Sequence, residues 1–449
     1  MDSSRAVRSA LAPAVPPGRE KKASGSPVRR QVQGLDGLRG LAALYVVLFH
    51  CWLYTFPGYP DSSAPRWLDG LMYGRLAVVF FLVLSGFSLA ISPARHGWRS
   101  EGVAEYLRRR AWRILPPYWA ALCMSLVIAW FVVPASHSGP PTGWSIVVYG
   151  LLGQDVFTAP TPNGAFWSIA VEAELYVVFP LLLFVRRRSS AAVLVVLVTL
   201  PVVVRGLMAP GGTPVEGDNW LAPHLAPVFV AGMVGAGVVV ASDRVRRLPW
   251  GWFAVLAAVP VLALGVVKGS VWTLTHYFWV DLAVAPAMTM LIVAVATGRP
   301  AVLVRLLTAR PVRGLGEFSY SLYLIHLPIV LAVIRRVAPH YVAPGLPAFW
   351  FTIALALPVS LLASWLFSKL FELPFKRNRS WNSMVEAGRS HWAGRGAGNR
   401  RRLWGGQARE TRPTDEAGTS STHSARPMVT VRASASSSSK DCSQEPQGR

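Results

Sequence analysis

Apolar residues fall along this chain in long runs, separated by short stretches rich in Arg. A run of about 18 or more such residues is long enough to cross a bilayer as a helix. Ten runs predict spans at 35–55, 72–92, 114–134, 166–185, 191–209, 223–241, 250–267, 277–297, 316–336 and 348–371. Backbone polar groups in hydrocarbon must be satisfied internally, and a helix does so within one segment. The pattern therefore predicts an all-α integral membrane protein of about ten transmembrane helices. Residues 1–34 are rich in Pro, Ser, Arg and Gly, and residues 376–449 in Ser, Arg and Gly with a run at Ser436–Ser439. Neither shows a hydrophobic period, so both are expected to be disordered, with no room in the tail for a catalytic domain. The expected organisation is a leader 1–34, a transmembrane domain 35–375 and a tail 376–449.

The loops set an orientation. Segments 93–113, 186–190, 242–249 and 298–315 are Arg-rich, while those between them are poor in Lys and Arg, and 135–165 has neither. Cytoplasmic flanks of spans collect positive charge. This strict alternation predicts a multi-pass plasma-membrane protein with both termini in the cytoplasm. Arg335 and Arg336, at the outer end of the ninth span, fit least well. The first apolar run begins only at Leu35, after a long polar leader, so it is expected to be retained as a signal anchor.

Composition agrees: 52% of residues are hydrophobic and 15% charged, against about 25% charged in soluble domains. The net charge of +23 invites a nucleic-acid reading, but its distribution opposes one. The leader carries seven Lys/Arg against two acids, the tail fourteen against six, and the remaining Arg sit at span ends. No nucleic-acid partner is expected. The basic tails are either solvated or laid on anionic lipid. Three cysteines without ligand spacing, Cys51, Cys123 and Cys442, point to neither a disulfide framework nor a metal site.

Ionisable side chains within spans cost roughly 2.5–3.5 kcal/mol on insertion scales and are functional candidates by default. The first span, Gly34-Leu-Asp-Gly-Leu-Arg-Gly through His50, holds three. Arg39 and His50 are eleven residues apart, three turns plus roughly 20°, so they share a helix face about 16 Å apart along the axis. Asp36, one turn before Arg39, is placed to pair with it. The fourth span opens Phe166-Trp167-Ser-Ile-Ala-Val-Glu172-Ala-Glu174-Leu-Tyr176. Its direction puts Glu172 and Glu174 in the outer half, at about the depth of His50. A histidine and a carboxylate at matched depth are the parts of a general base and its orienter. Trp167 also fits an interfacial aromatic belt. Arg110 and Arg113, one turn apart, can face one anion together, or serve only as positive-inside charge. His326, before Pro328 in the ninth span, is either structural or a secondary site residue.

At these residues the chain resembles the acyltransferase-3 family of multi-pass membrane O-acyltransferases, over about 34–375. Five strings carry the resemblance, in the family's order. They are Leu35-Asp-Gly-Leu-Arg-Gly with His50 at an Arg-x10-His spacing; Phe80-Phe-Leu-Val-Leu-Ser-Gly-Phe87; Arg110-x-x-Arg113 with Pro-Pro-Tyr after it; Trp167-Ser-Ile-Ala-Val-Glu172; and Ser319-Tyr-Ser-Leu-Tyr-Leu-Ile-His326. Where many members have two adjacent acids after Trp-Ser, Ala173 here separates Glu172 from Glu174.

The resemblance implies transfer of an acyl group from acyl-CoA, with acetyl-CoA the expected donor, to a hydroxyl of a glycan, glycolipid or glycosylated small molecule. It implies no permanently bound cofactor, and no extracytoplasmic esterase-like domain is expected in so short a tail. His50 and Glu172 become the expected catalytic pair. Arg39, Arg110 and Arg113 suit CoA phosphates, and Asp36, Trp167, Glu174 and His326 are further substrate-binding candidates. His50 would act as general base or would itself take the acyl group. The competing reading is a transporter or flippase for a glycolipid or anionic metabolite, which buried Arg, His and Glu would also suit. Against it stands the lack of an internal repeat of the kind that builds many secondary transporters.

Overall fold

Leu, Val and Ala fill the apolar runs, and each run folds as one helix in the computed structural model, which describes residues 34–99, 102–133, 139–209, 222–378, 380 and 383–385. The expectations for the leader before Gly34 and for the tail beyond Val385 lie outside the described residues. Ten helices form the bundle: α1 Leu35–Thr55, α2 Gly74–Arg95, α3 Val103–Phe131, α4 Trp167–Arg188, α5 Ala191–Met208, α6 Leu225–Val240, α7 Trp250–Lys268, α8 Tyr277–Ala296, α9 Ser319–Ala332 and α10 Leu346–Phe367. Among the described residues there is no strand. Among the described residues nine helices are long and apolar enough to cross a membrane, and α6 is apolar but 16 residues long. The expected all-α multi-pass fold is therefore the one observed.

Some boundaries differ from expectation. Helix α3 begins eleven residues before the expected 114, because Tyr106-Leu-Arg-Arg-Arg-Ala-Trp-Arg continues the helix beyond the apolar run. The segment 298–315 contains two short helices, Ala301–Thr308 and Arg310–Glu317. The second packs on α1 so closely that a Cβ on Gly316 would meet the Asp36 carbonyl oxygen at 2.0 Å. Helices α2 and α6 meet the same way: a Cβ on Gly86 would lie 2.0 Å from the Phe229 oxygen, and one on Gly232 1.9 Å from the Val83 oxygen. Small residues let backbones approach where no hydrophobic force separates helix from lipid. By contrast α5 and α7 bury few of their residues, as lipid-facing helices do.

The segment between α3 and α4 dips into the bundle. Pro328 has no N–H, so the Leu324 carbonyl four residues before it loses its helical donor. Asn163 replaces that donor: its amide nitrogen gives a hydrogen bond to the Leu324 oxygen (2.9 Å) and another to Ser125 Oγ (3.2 Å). Helix α4 consequently starts beside the middle of α9, with Ser168 Oγ 2.5 Å from the Tyr323 hydroxyl. The arginines that fitted the charge pattern least are accommodated by a π-helical turn, Val333–Val337, that follows α9. The Arg335 guanidinium lies 5.9 Å over the Tyr54 ring, and Arg336 Nε donates to the Val132 oxygen at 2.8 Å.

A buried ionic tie joins the ends of four helices opposite the Arg-rich loops. Arg75 on α2 donates to Asp281 Oδ2 on α8 (3.0 Å) and to His224 Nε2 at the start of α6 (3.1 Å). The same guanidinium stacks over Trp167 of α4 and Tyr277 of α8. Asp281 is fully buried and Arg75 partly so. Removing one member of a buried pair costs about 3–5 kcal/mol, whereas an apolar replacement of both is often neutral. Asp281→Ala should therefore lower thermal stability in detergent by several degrees. Arg75→Met combined with Asp281→Leu should recover most of that loss. A double variant as unstable as Asp281→Ala would show that the tie contributes more than pairing.

Candidate active site

Five helices of the bundle, the short helix Arg310–Glu317 and the segment after α10 line a cavity of about 500 Å³. Its wall follows one face of α2 from Val78 to Arg95, a span of about 26 Å. One end lies at the Arg-rich loops, and along its length Arg39, Arg95, Arg110, Arg113 and Lys376 line it against only Asp36, Glu172 and Glu372. The wall is therefore net cationic. Arg39 is held by Asp36 Oδ1 (3.2 Å) and donates to Ser88 Oγ (2.7 Å). Arg110 lies over the rings of Tyr106 and Tyr176, 5.6 and 6.0 Å from their centres. Rigid guanidinium forks of this kind suit phosphate oxygens better than lysine does.

Glu172 stands partway along this cavity. It accepts hydrogen bonds from the hydroxyls of Ser85 and Tyr176. Glu174 is half-buried and does not line the cavity. Two residues on, it points roughly 200° away around the helix. The intervening Ala173 thus separates one carboxylate that faces the cavity from one that does not.

Ser168 and Tyr323 line the cavity away from the Arg-rich loops, and beyond them lie the two histidines. The rings of Tyr323 and His326 are 6.0 Å apart, centre to centre. His326 Nε2 is 3.0 Å from His50 Nδ1, and His50 Nδ1 is also 2.9 Å from the Val46 oxygen. His326 Nδ1 is 2.9 Å from the oxygens of both Leu322 and Tyr323. His326 is wholly buried and His50 nearly so.

One expectation changes here. The hydrogen-bonded neighbour of His50 is His326, not Glu172. The depth of Glu172 follows from its bond to Ser85, which is one turn from the Ser88 that Arg39 contacts. Glu172 therefore stands about one turn from the Arg39 level, still roughly 11 Å along the bundle from the level of His50. The cause is the inward dip before α4, which starts that helix at the level of the histidines instead of at the bundle surface. Trp167 also lies apart from the cavity, beneath Arg75.

Several residues of the cavity carried no signal in the local pattern. Ser85, Ser88, Ser168 and Tyr323 carry no charge to single them out, although Ser85, Ser168 and Tyr323 fall inside the motif strings. Glu372 lies one residue past the expected end of the tenth span, on a second π-helical turn, Ser368–Glu372. There it accepts from Ser321 Oγ at 2.6 Å and pairs with Lys376 at 3.6 Å.

Comparison with known proteins bears on what this arrangement is. The family model described as an acyltransferase domain matches residues 32–369. YrhL of Bacillus subtilis (strain 168), whose name assigns it provisionally to peptidoglycan O-acetylation, is 25% identical over 368 residues, 74% of this chain and 53% of that protein. O-acetyltransferase OatA of Staphylococcus aureus is 23% identical over 359 residues, 73% of this chain and 55% of that protein. Acyltransferase MdmB of Streptomyces mycarofaciens is 28% identical over 330 residues, 67% of this chain and 79% of that protein. The chain spans about half the length of the first two relatives. With a family match that runs from just before α1 to the end of α10 and takes in all five motif strings, the chain belongs to the acyltransferase-3 family.

Proposed function

We propose that the chain is a membrane O-acyltransferase that moves an acyl group from acyl-CoA to a hydroxyl of a glycan, glycolipid or glycosylated small molecule. The observation that carries the reading is a cationic cavity whose lining reaches Tyr323, one helical turn before His326 of the histidine pair. In this reading the Arg-rich end faces the cytoplasm of the plasma membrane, where acyl-CoA is found. The phosphates of CoA rest on Arg39, Arg110 and Arg113. The long pantetheine arm lies along α2, past Glu172 and Tyr176, and brings the thioester to Tyr323.

His50 then acts as the base. Its Nε2 takes the proton of the acceptor hydroxyl while the hydroxyl oxygen attacks the thioester carbon. The C–S bond breaks as the new ester forms, and the proton returns from His50 to the departing thiolate. General-base assistance of this kind contributes roughly 10²–10⁴-fold. Glu172, away from His50, is assigned to the donor channel, where it fixes the Ser85 and Tyr176 hydroxyls. The acceptor class follows the names of the relatives, of which the provisional assignment of YrhL to peptidoglycan O-acetylation is the most specific.

Two outcomes test the reading. His50→Gln, which keeps hydrogen-bonding groups but cannot take up a proton, should abolish acylated product in a strain deleted for the gene, with protein abundance unchanged. Comparative mass spectrometry of surface glycans and secreted metabolites would identify that product. Substantial product from His50→Gln would remove His50 from the chemistry. Arg110→Ala or Arg113→Ala should raise half-saturating acyl-CoA about tenfold or more, the effect of losing one charged hydrogen bond of about 1.5–3 kcal/mol. Unchanged acyl-CoA dependence in both variants would leave these residues as topology signals.

A further inference from the structure

We propose that His326 is a positioning residue for acyl transfer, the partner that supports His50 while it carries the proton. The inference rests on the reading of His50 as base and goes one step beyond it.

The proton positions follow from the partners. The Nδ1 of His326 faces two carbonyl oxygens, those of Leu322 and Tyr323. A carbonyl only accepts, so His326 carries its proton on Nδ1. A neutral imidazole then has its lone pair on Nε2. That lone pair faces His50 Nδ1 at 3.0 Å, so His50 must be the donor. The Val46 oxygen, 2.9 Å from the same nitrogen, demands the same proton. Three backbone carbonyls therefore fix both tautomers, and they leave the lone pair of His50 on Nε2. Among the described residues no hydrogen bond engages that nitrogen.

Bonding to a carbonyl one turn back does not single out a site residue. His96 and His276 make the same contact with the oxygens of Ser92 and Trp272. What sets His326 apart is that its other nitrogen faces a second imidazole. Val46 alone would already bias the tautomer of His50. His326 adds a neutral acceptor for the cation that forms when His50 Nε2 takes the hydroxyl proton. In water-poor surroundings a cation with one weak acceptor is costly. The Nδ1–H of His50 then makes a charge-assisted bond to His326 Nε2, and the two carbonyls behind His326 steady the second ring.

The step balances without another reagent. The acceptor O–H breaks, its proton goes to His50 Nε2, and its oxygen bonds the thioester carbon. The C–S electron pair leaves with sulfur. The thiolate recovers the proton from His50, and both imidazoles return to their starting tautomers. His326 holds its own Nδ1 proton throughout and touches neither substrate.

The test uses the full chain in membrane vesicles from a strain deleted for the gene, supplied with extract of that strain as acceptor source and labelled acetyl-CoA as probe. Label in non-protein material is read against acetyl-CoA concentration. His326→Ala should lower the maximal rate about 100-fold or more, with half-saturating acetyl-CoA within about twofold of wild type. His326→Gln, whose amide oxygen can accept from His50 Nδ1, should retain at least about ten times the rate of His326→Ala. If His326→Ala fails to accumulate, His326→Met, of similar size without an acceptor oxygen, replaces it against His326→Gln.

A wild-type rate in His326→Ala while His50→Gln is inactive would overturn the positioning role and leave the function reading intact. Equal rates in the Gln and Met variants would overturn it too, as would a rise in half-saturating acetyl-CoA that accounts for the loss. Activity in His50→Gln, or no incorporation by wild type, would bring down the function reading itself.

Discussion

The hydrogen bond from Asn163 to the Leu324 carbonyl sets the geometry of the site. A proline four residues further on strips that carbonyl of its helical donor. In hydrocarbon an orphaned carbonyl has no water to turn to. The amide that fills the gap belongs to a connecting segment, so satisfying α9 requires that segment to descend into the bundle. Helix α4 must then begin at mid-depth. Its first turns meet Tyr323, and Glu172 falls against Ser85 on the cavity wall. One missing N–H in α9 thus decides which carboxylate lines the cavity and how far it stands from the histidines.

The same chain of dependence marks what the sequence made legible. Runs of Leu, Val and Ala announce helices by length alone, and all ten were readable. The shared face of Arg39 and His50 was readable because both lie on one helix, where angle and rise are fixed by geometry. Matching the depth of Glu172 to His50 required the starting depth of a different helix. That depth is set by Asn163, a polar residue in a connecting segment with nothing local to mark it. The His50–His326 pair is of the same kind: two helices far apart in the chain, joined through ring nitrogens. Arg75 and Asp281 are a different case. Both lie within expected spans and obey the rule that singled out Arg39, yet their role as each other's partner shows only when α2 and α8 are seen side by side.

The bundle divides its polar groups by depth. Arginines gather at one end around a cavity at the Arg-rich loops, and the Arg75–Asp281–His224 tie lies at about the level of the histidines, where Gly74 abuts Phe49. The close contacts at Gly86 and Gly232 keep α2, which forms the long wall of the cavity, against α6 without room for sliding. The cavity is thus shaped by backbone contacts as much as by its lining side chains, which suits a wall that must present its serines and arginines at fixed heights.

The stopper formed by Tyr323 has a consequence for the membrane itself. Its hydroxyl is held both by Ser168 and by the Ala165 carbonyl, so the ring stays across the end away from the Arg-rich loops. A cationic funnel that continued past this point would be a conduit for small anions, and the transmembrane voltage would drive them through it at about 2.3 kcal/mol per charge per 100 mV. With Tyr323 held as it is here, no such conduit is open. The bilayer keeps its electrical insulation at that residue.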